Sequence, residues 1–254
     1  MLEKITEACK FLLNNYPGAA QVREYLDSRL TKESQDRFQF GYYPGWEEIS
    51  LLTDMVGEDI IVEHNLIYYK DIEDSLFPRS IPFSYFDKFS LVMPFRDVYG
   101  KTVGLVARTL LSDENMKEAK IPKYKNTKNF EKGRHLFGLY ENKKSIFDKG
   151  MVFVVEGQFD VIKANERGID NIVALGTCNM TPYQFSLICR YTDNIGLLLD
   201  NDDGGEKGRK AIISKFGNMA SIHNFYLPEI YKDIDEYLTK EKDCNVDNIA
   251  LFVK

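Results

Sequence analysis

The stretch M-V-F-V-V-E-G-Q-F-D, Met151 to Asp160, decides the fold. Val152 to Val155 is apolar at every position, which reads as a strand buried on both faces, the habit of a central parallel strand. It ends in Glu156-Gly157. The same grammar returns in G-L-L-L-D-N-D-D-G-G, Gly196 to Gly205, where the apolar run stops at Asp200 and Asp202. A third acidic piece, K-D-I-D-E-Y-L, runs from Lys232 to Leu238. An apolar run that ends in a carboxylate carries negative charge to the rim of a sheet. Three such rims in one domain gather charges that repel unless a cation neutralises them. Ligands that are all oxygen point to magnesium or manganese rather than zinc.

Between and beyond these pieces the rhythm is strand, helix, strand, helix. A helix is expected from about Phe159 to Gly168, whose glycine suits a left-handed stop. Ile172 to Leu175 reads as the next strand. Thr181-Pro182 opens a helix, with Thr as cap and Pro in the first turn. Ile195 to Leu199 is a third strand, a helix follows over about Glu206 to Phe216, and Ile222 to Leu227 is a fourth strand. Right-handed crossovers put the carboxyl ends of all four on one edge, where open α/β sheets bind ligands. Glu156, Asp200 and Asp202 all belong to that edge.

Working towards the amino terminus, Val22, Tyr25, Leu26 and Leu30 have helical spacing, and Thr31 caps a short helix from Lys32 to about Arg37. Pro44-Gly45 makes a turn before a helix carrying Trp46, Ile49, Leu52 and Met55. Another is expected over Asp59 to His64. Near Asp87 the pattern changes. Leu91 to Met93 and Val103 to Ala107 read as an antiparallel pair joined by a turn at Asp97 to Lys101. The polar, Lys-rich segment from Asp113 to Arg134 reads as surface loop with little buried structure. Met93, Phe95 and Trp46 are assigned to the core. The fold class is therefore α/β, a mostly parallel sheet flanked by helices, preceded by a mixed and partly helical subdomain. The expected division is 1–150, with a basic part from about 86, then 151–240, then a short tail over 241–254.

Composition supports a globular chain. Of 254 residues, 44% are hydrophobic and 28% charged, and no apolar run reaches the length of a bilayer span. The first ten residues place acids where a signal peptide needs positive charge, so a cytoplasmic protein is expected, with no membrane partner. Cys9, Cys178, Cys189 and Cys244 are scattered, as are the three histidines, which argues against zinc in this chain. The net charge of −6 conceals an asymmetry. Lys88 to Lys144 holds thirteen Lys or Arg against six Asp or Glu, a local +7, leaving −13 elsewhere. That distribution suits a polyanion on one surface and metal ions on another, although a solvated basic face has the same composition.

The strand-end Glu156-Gly157 followed by Asp200-Asn201-Asp202 resembles the Toprim domain shared by primases, topoisomerases and some nucleases. The upstream sequence narrows the resemblance. Y-L-D-S-R-L-T-K-E-S-Q-D-R-F-Q-F-G-Y-Y-P-G-W, beginning at Tyr25, is similar to the start of the catalytic core of bacterial DnaG-type primases. F-D-K-F-S-L-V-M-P-F-R-D-V-Y-G-K-T-V-G-L-V-A-R, I-P-K-Y-K-N-T, F-E-K-G-R-H-L-F-G-L, V-V-E-G-Q-F-D-V-I, V-A-L-G-T and K-D-I-D-E-Y-L follow in that family's order.

The resemblance implies DNA-templated synthesis of short RNA primers from NTPs. A nucleotide 3′-hydroxyl attacks an α-phosphate, and two or more Mg²⁺ or Mn²⁺ ions assist. It implies Glu156, Asp200 and Asp202 as catalytic metal ligands, with Asp160, Asp233 and Asp235 in support. It implies Arg108, Lys123, Tyr124, Asn126 and Lys132 as nucleotide and template contacts. Arg suits bidentate phosphate binding, Lys serves as a point charge, and Tyr124 can stack on a base. Gly176-Thr177 is either a source of backbone donors near the metals or a plain tight turn. Partners implied are single-stranded DNA and NTPs, with a helicase or a zinc-binding module supplied by another chain. The family's glycine pair before the arginine is Val106-Ala107 here, and Gly204 stands where its metal loop commonly has alanine. The family's amino-terminal zinc module and carboxyl-terminal helicase-binding region have no counterpart in these residues. Two other readings share the acidic set: a Toprim nuclease or topoisomerase-like enzyme, and a non-catalytic single-stranded DNA-binding module of the replisome.

Overall fold

A computed structural model describes residues 1–72 and 79–241. The chain divides into two compact units. One comprises Met1–Phe95 with Thr102–Phe130, the other Arg96–Lys101 with Glu131–Lys254. Cys244 and all of the expected tail except Glu241 lie outside the described residues.

The first unit opens with α1 (Leu2–Asn15), α2 (Ala20–Asp27) and α3 (Lys32–Arg37). In α1 the stripe Ile5, Ala8, Cys9, Leu12 and Leu13 is buried, the spacing of a helix with one apolar face. Thr31 caps α3 as expected, its side chain accepting from the Ser34 amide. After β1 (Gly41–Tyr42) come α4 (Ser50–Val56) and α5 (Glu58–Glu63), then a hairpin of β2 (Ile67–Ile72) and β3 (Arg79–Ser84). Beyond it lie β4 (Leu91–Arg96), β5 (Thr102–Arg108), α6 (Asp113–Ala119) and β6 (Tyr124–Asn126). One sheet runs in the order β1-β4-β5-β6.

Two expectations are corrected in this unit. The segment 113–134 is more than loop: α6 forms with Ser112 as cap, although none of its residues is buried, and β6 pairs antiparallel with β5. Met93 and Phe95 are core residues, but Trp46 is only partly buried and stacks on the exposed Phe83 with ring centroids 5.9 Å apart.

The second unit contains α7 (Leu139–Lys149), β7 (Val152–Val155), α8 (Gln158–Glu166), β8 (Ile172–Ala174) and α9 (Pro182–Ile188). It continues with β9 (Asn194–Leu197), α10 (Asp203–Phe216), β10 (Ser221–Asn224) and α11 (Ile234–Lys240). The sheet order is β10-β9-β7-β8, and every pair is parallel, as the apolar runs predicted. All of β7 is buried. Thr181 and Gln184 cap α9 reciprocally, each side chain accepting the other's backbone N–H at 3.1 Å.

Chain order reverses at β7. The chain passes from β7 to β8 on one side, then crosses back to β9 on the other. The crevice between the ends of β7 and β9 is thus a topological switch point, the place where open α/β sheets receive ligands.

Candidate active site

Glu156 directly follows β7, and its Oε1 accepts the Asp200 amide at 3.3 Å. Asp200 lies just beyond β9, with Oδ2 3.7 Å from Lys232 Nζ. Asp202 is the N-cap of α10, where its Oδ1 accepts from the amides of Gly204 at 2.9 Å and Gly205 at 3.0 Å. These carboxylates are set by the first turn of a helix and by a neighbouring strand end, both regular elements.

Asp160 stands in the first turn of α8 and is only 6% exposed. Its Oδ2 accepts the Gly157 amide at 2.9 Å and its Oδ1 the Asp235 amide at 3.2 Å. One buried carboxyl thereby joins the starts of α8 and α11. Asp233 is the N-cap of α11, accepting the Glu236 amide at 2.8 Å. The third acidic piece is therefore a helix start, not the strand end that the sequence suggested. Asp-x-Asp before an apolar residue serves a helix cap as readily as a strand rim, because an N-cap also wants a short acceptor side chain.

Crowding is visible in proton affinity. Burial, then the charges of Asp200 and Asp202, push the Glu156 carboxyl up to about 7. Burial and Asp233 raise Asp200 to about 6, while Lys232 pulls the other way. Asp160 is raised well above the usual carboxylate range by its burial, with Asp233, Asp200 and Asp235 adding to it. Glu156, Asp160 and Asp200 thus each feel the charge of neighbouring acids. Among the described residues, no three His, Cys, Asp or Glu side chains converge closely enough to cage an ion. The donor chemistry nevertheless fits magnesium or manganese, since such ions are commonly held by one or two carboxylates and completed by water and phosphate oxygens.

Lys132 lies in the same unit, in a short turn at Lys132–Arg134, and its Nζ donates to the Gly176 carbonyl at 2.8 Å. The Gly176 N–H is engaged by the Glu156 carbonyl at 2.9 Å. Gly176, at φ +76°, is therefore a tight turn and not a presenter of that donor.

The other predicted contacts belong to the first unit. Arg108 ends β5 and is 9% exposed, lying between two rings, with Cζ 5.1 Å from the Tyr25 centroid and 5.2 Å from that of Tyr124. Its Nη1 donates to the Tyr124 hydroxyl at 2.5 Å. Lys123 is exposed beside them, 6.0 Å from the Tyr124 ring centroid, and Asn126 pairs with Val106 at the far end of β6. Tyr25 was legible only as a helix residue. Its role as the second wall around Arg108 was missed, as was the Arg29 Nη1 that donates to its hydroxyl at 2.9 Å. The cation beside Asp200, Lys232, was also missed, although it opens the K-D-I-D run.

Comparison with known proteins agrees with this geometry. Residues 10–143 match the family described as DNA primase catalytic core, N-terminal domain. Residues 153–238 match the family described as Toprim-like. The DNA primase of Aquifex aeolicus is 31% identical over 243 residues, covering 92% of this chain and 45% of its own length. The chain therefore spans less than half of that relative. The crystal structure of the zinc-binding and RNA polymerase domains of the Aquifex aeolicus primase has a TM-score of 0.76 at 28% identity, over 99% of this chain and 61% of that one. A DnaG primase catalytic domain bound to single-stranded DNA has a TM-score of 0.71 at 25% identity, over 94% and 78%. With more than half of its residues in the first of these matches, the chain belongs to the DNA primase catalytic core family.

Proposed function

We propose that this chain joins ribonucleotides on a single-stranded DNA template, making short RNA primers for replication. The observation that carries the reading is the set of carboxylates at the switch point between β7 and β9, in a chain whose relatives are named DNA primase. A divalent cation bound there would supply Lewis acidity to the attacking 3′-hydroxyl and to the departing pyrophosphate, and two such ions would serve both ends.

In this reading Glu156, Asp200 and Asp202 hold the cations. Each is oriented before substrate arrives, by the Asp200 amide, by its place at the strand end and by the α10 amides respectively. Asp160 and Asp233 hold the frame, since their oxygens accept backbone N–H groups. Lys132 keeps a positive charge at the end of β8, the strand beside β7, where a triphosphate oxygen would replace one of its contacts. Arg108 is fixed by two rings and a hydroxyl, which orders its guanidinium for a phosphate at reduced entropic cost. Lys123 adds an exposed charge for the template backbone. The solved relative with single-stranded DNA supports a template of that kind.

The test is incubation with single-stranded DNA, NTPs and Mg²⁺ or Mn²⁺, followed by product sizing. A template-dependent ribonucleotide ladder that disappears in Asp200→Ala and Asp202→Ala is expected. Absence of product, even with a zinc-binding primase module added in trans, sinks the reading. DNA nicking without NTPs would replace it with a nuclease.

A further inference from the structure

Arg209 is 2% exposed and heads the fully buried side chains by size. Nothing in the sequence marked it, because one arginine in an otherwise amphipathic helix reads as surface. In the fold its guanidinium binds backbone carbonyls only. Nη2 donates to Leu199 O at 2.5 Å and to Phe225 O at 3.4 Å, and Nη1 donates to Asp200 O at 3.1 Å. Cζ lies 4.6 Å from the Tyr226 ring centroid. Among the described residues Arg209 forms no ion pair. A buried cation without a carboxylate partner is costly, so its retention needs a reason beyond filling space.

A second observation concerns the same carbonyl. A Cβ at Gly205 would overlap the Asp200 carbonyl oxygen, and one at Gly208 would overlap the Cys178 carbonyl oxygen. Gly205 thus lets α10 press against the loop that carries Asp200, and Gly208 lets it press against the β8–α9 loop at Cys178. Arg209, the next residue, reaches the carbonyls of the Asp200 loop. The Asp200 peptide is gripped by shape through Gly205 and by hydrogen bonding through Arg209.

We propose that Arg209 is a positioning residue for the carboxylate site. By fixing the Leu199 and Asp200 carbonyls it fixes the backbone angles of Asp200, and with them the direction in which that carboxylate is offered to a divalent cation. The fork geometry is essential, because one side chain must satisfy carbonyls from the β9–α10 loop and from the residue after β10 together. This inference rests on the reading of that edge as a cation site.

The experiment measures Mn²⁺ binding to the whole chain by electron paramagnetic resonance of free Mn²⁺, in wild type, Arg209→Lys and Arg209→Met. Thermal unfolding in EDTA reports the fold separately. Losses of about tenfold or more in Mn²⁺ affinity are expected for both variants, the range seen when residues behind metal ligands are changed. Arg209→Lys should retain a cooperative transition. In primer synthesis the half-saturating Mn²⁺ concentration should rise while the rate at saturating Mn²⁺ largely recovers, a split that general destabilisation does not produce. Variants that bind Mn²⁺ as tightly as wild type overturn the inference and leave the cation site standing. Wild-type protein that binds no Mn²⁺ overturns the cation reading, and the inference with it. Failure of both variants to fold makes Arg209 a structural residue and also overturns the proposal.

Discussion

Glu156 Oε1 accepts the Asp200 amide at 3.3 Å, so a carboxylate that closes β7 is tied to the residue that leaves β9. The bond holds two acids at the switch point of the sheet while their charges repel. Lys232, 3.7 Å from Asp200, is mostly exposed and offsets that repulsion only in part. The site is therefore built under electrostatic load, which has measurable consequences.

Stability should depend on pH and on divalent cation together. Glu156 rises from its ordinary 4.5 to about 7, and Asp200 from 3.8 to about 6. The folded chain therefore binds protons more tightly than the unfolded one. Their contribution is fully present below about pH 4 and is lost as pH rises through 6 to 7. In EDTA the Tm should fall between pH 5 and pH 8. Mg²⁺, which favours the ionised pair, should restore more at pH 8 than at pH 5. Scanning calorimetry at both values, with and without Mg²⁺, checks this, and an equal Mg²⁺ shift at both refutes it.

Asp200→Asn removes one charge from the cluster while retaining the shape of the side chain. Both acids are partly exposed, so solvent screening leaves a gain of about 1 kcal/mol, or roughly 2–4 °C in Tm at pH 8 in EDTA. The same variant should lose the Mg²⁺-induced shift and primer synthesis. Thermal melts paired with a primer assay read both. A destabilised variant would mean that hydrogen bonding of Asp200 outweighs repulsion.

The parallel sheet was legible because β7 and β8 are short and wholly apolar and the runs through β7 and β9 stop at acids, and no other element accounts for Val152 to Val155 as simply. The Asp233 region misled because an acidic residue before an apolar one suits both a strand rim and a helix cap. The helix α1, the β2–β3 hairpin and α7 were not anticipated. The apolar spacing of α1 was present in the sequence and was not read, whereas in α7 only Leu139, Asn142 and Ile146 are buried, which leaves a weak period. The six acids were named from apolar runs that stop at a carboxylate and from the resemblance to the Toprim and primase family. Arg209, Tyr25 and Lys232 were not, because each acts through contacts distant in sequence that no local pattern encodes.

Arg96 and Glu141 form an ion pair with side chains only 10% and 7% exposed. Arg96 also lies over the Tyr140 ring, with Cζ 4.9 Å from its centroid. Glu141→Ala leaves a cation buried beside an aromatic face, and such half-broken pairs cost about 3–5 kcal/mol. A fall of roughly 10 °C in Tm is expected. The double variant Arg96→Met, Glu141→Leu should recover much of it, since both charges are then gone. Denaturant unfolding of the two proteins decides the matter. A double variant as unstable as Glu141→Ala would assign the loss to packing rather than charge.

Lys123 is exposed and distant from the acids in sequence, so its substitution should leave the fold untouched. If it contacts a template phosphate, Lys123→Ala weakens single-stranded DNA binding whatever the sequence. The slope of log K against log salt should then fall by about 0.7, one counterion on a single strand. Fluorescence anisotropy with a labelled oligonucleotide over a salt series measures this. An unchanged slope removes Lys123 from the interface.

Asp160 tests whether a carboxyl at the acidic edge is structural. Burial, with the charges of Asp233, Asp200 and Asp235, raises its carboxyl above the usual carboxylate range, and both of its oxygens accept backbone N–H groups. Asp160→Ala strands the amides of Gly157 and Asp235, which Asp160 now accepts at 2.9 and 3.2 Å. At about 1–3 kcal/mol for each buried unsatisfied group, the fall in Tm should be about 5–10 °C. Asp160→Asn offers one acceptor in place of two and should cost about half as much. Hydrogen exchange locates the effect, with faster exchange in α11 before the central strand β7 is touched. If Asp160→Asn instead melts like wild type while Mn²⁺ binding falls, Asp160 belongs to the ion and not to the frame.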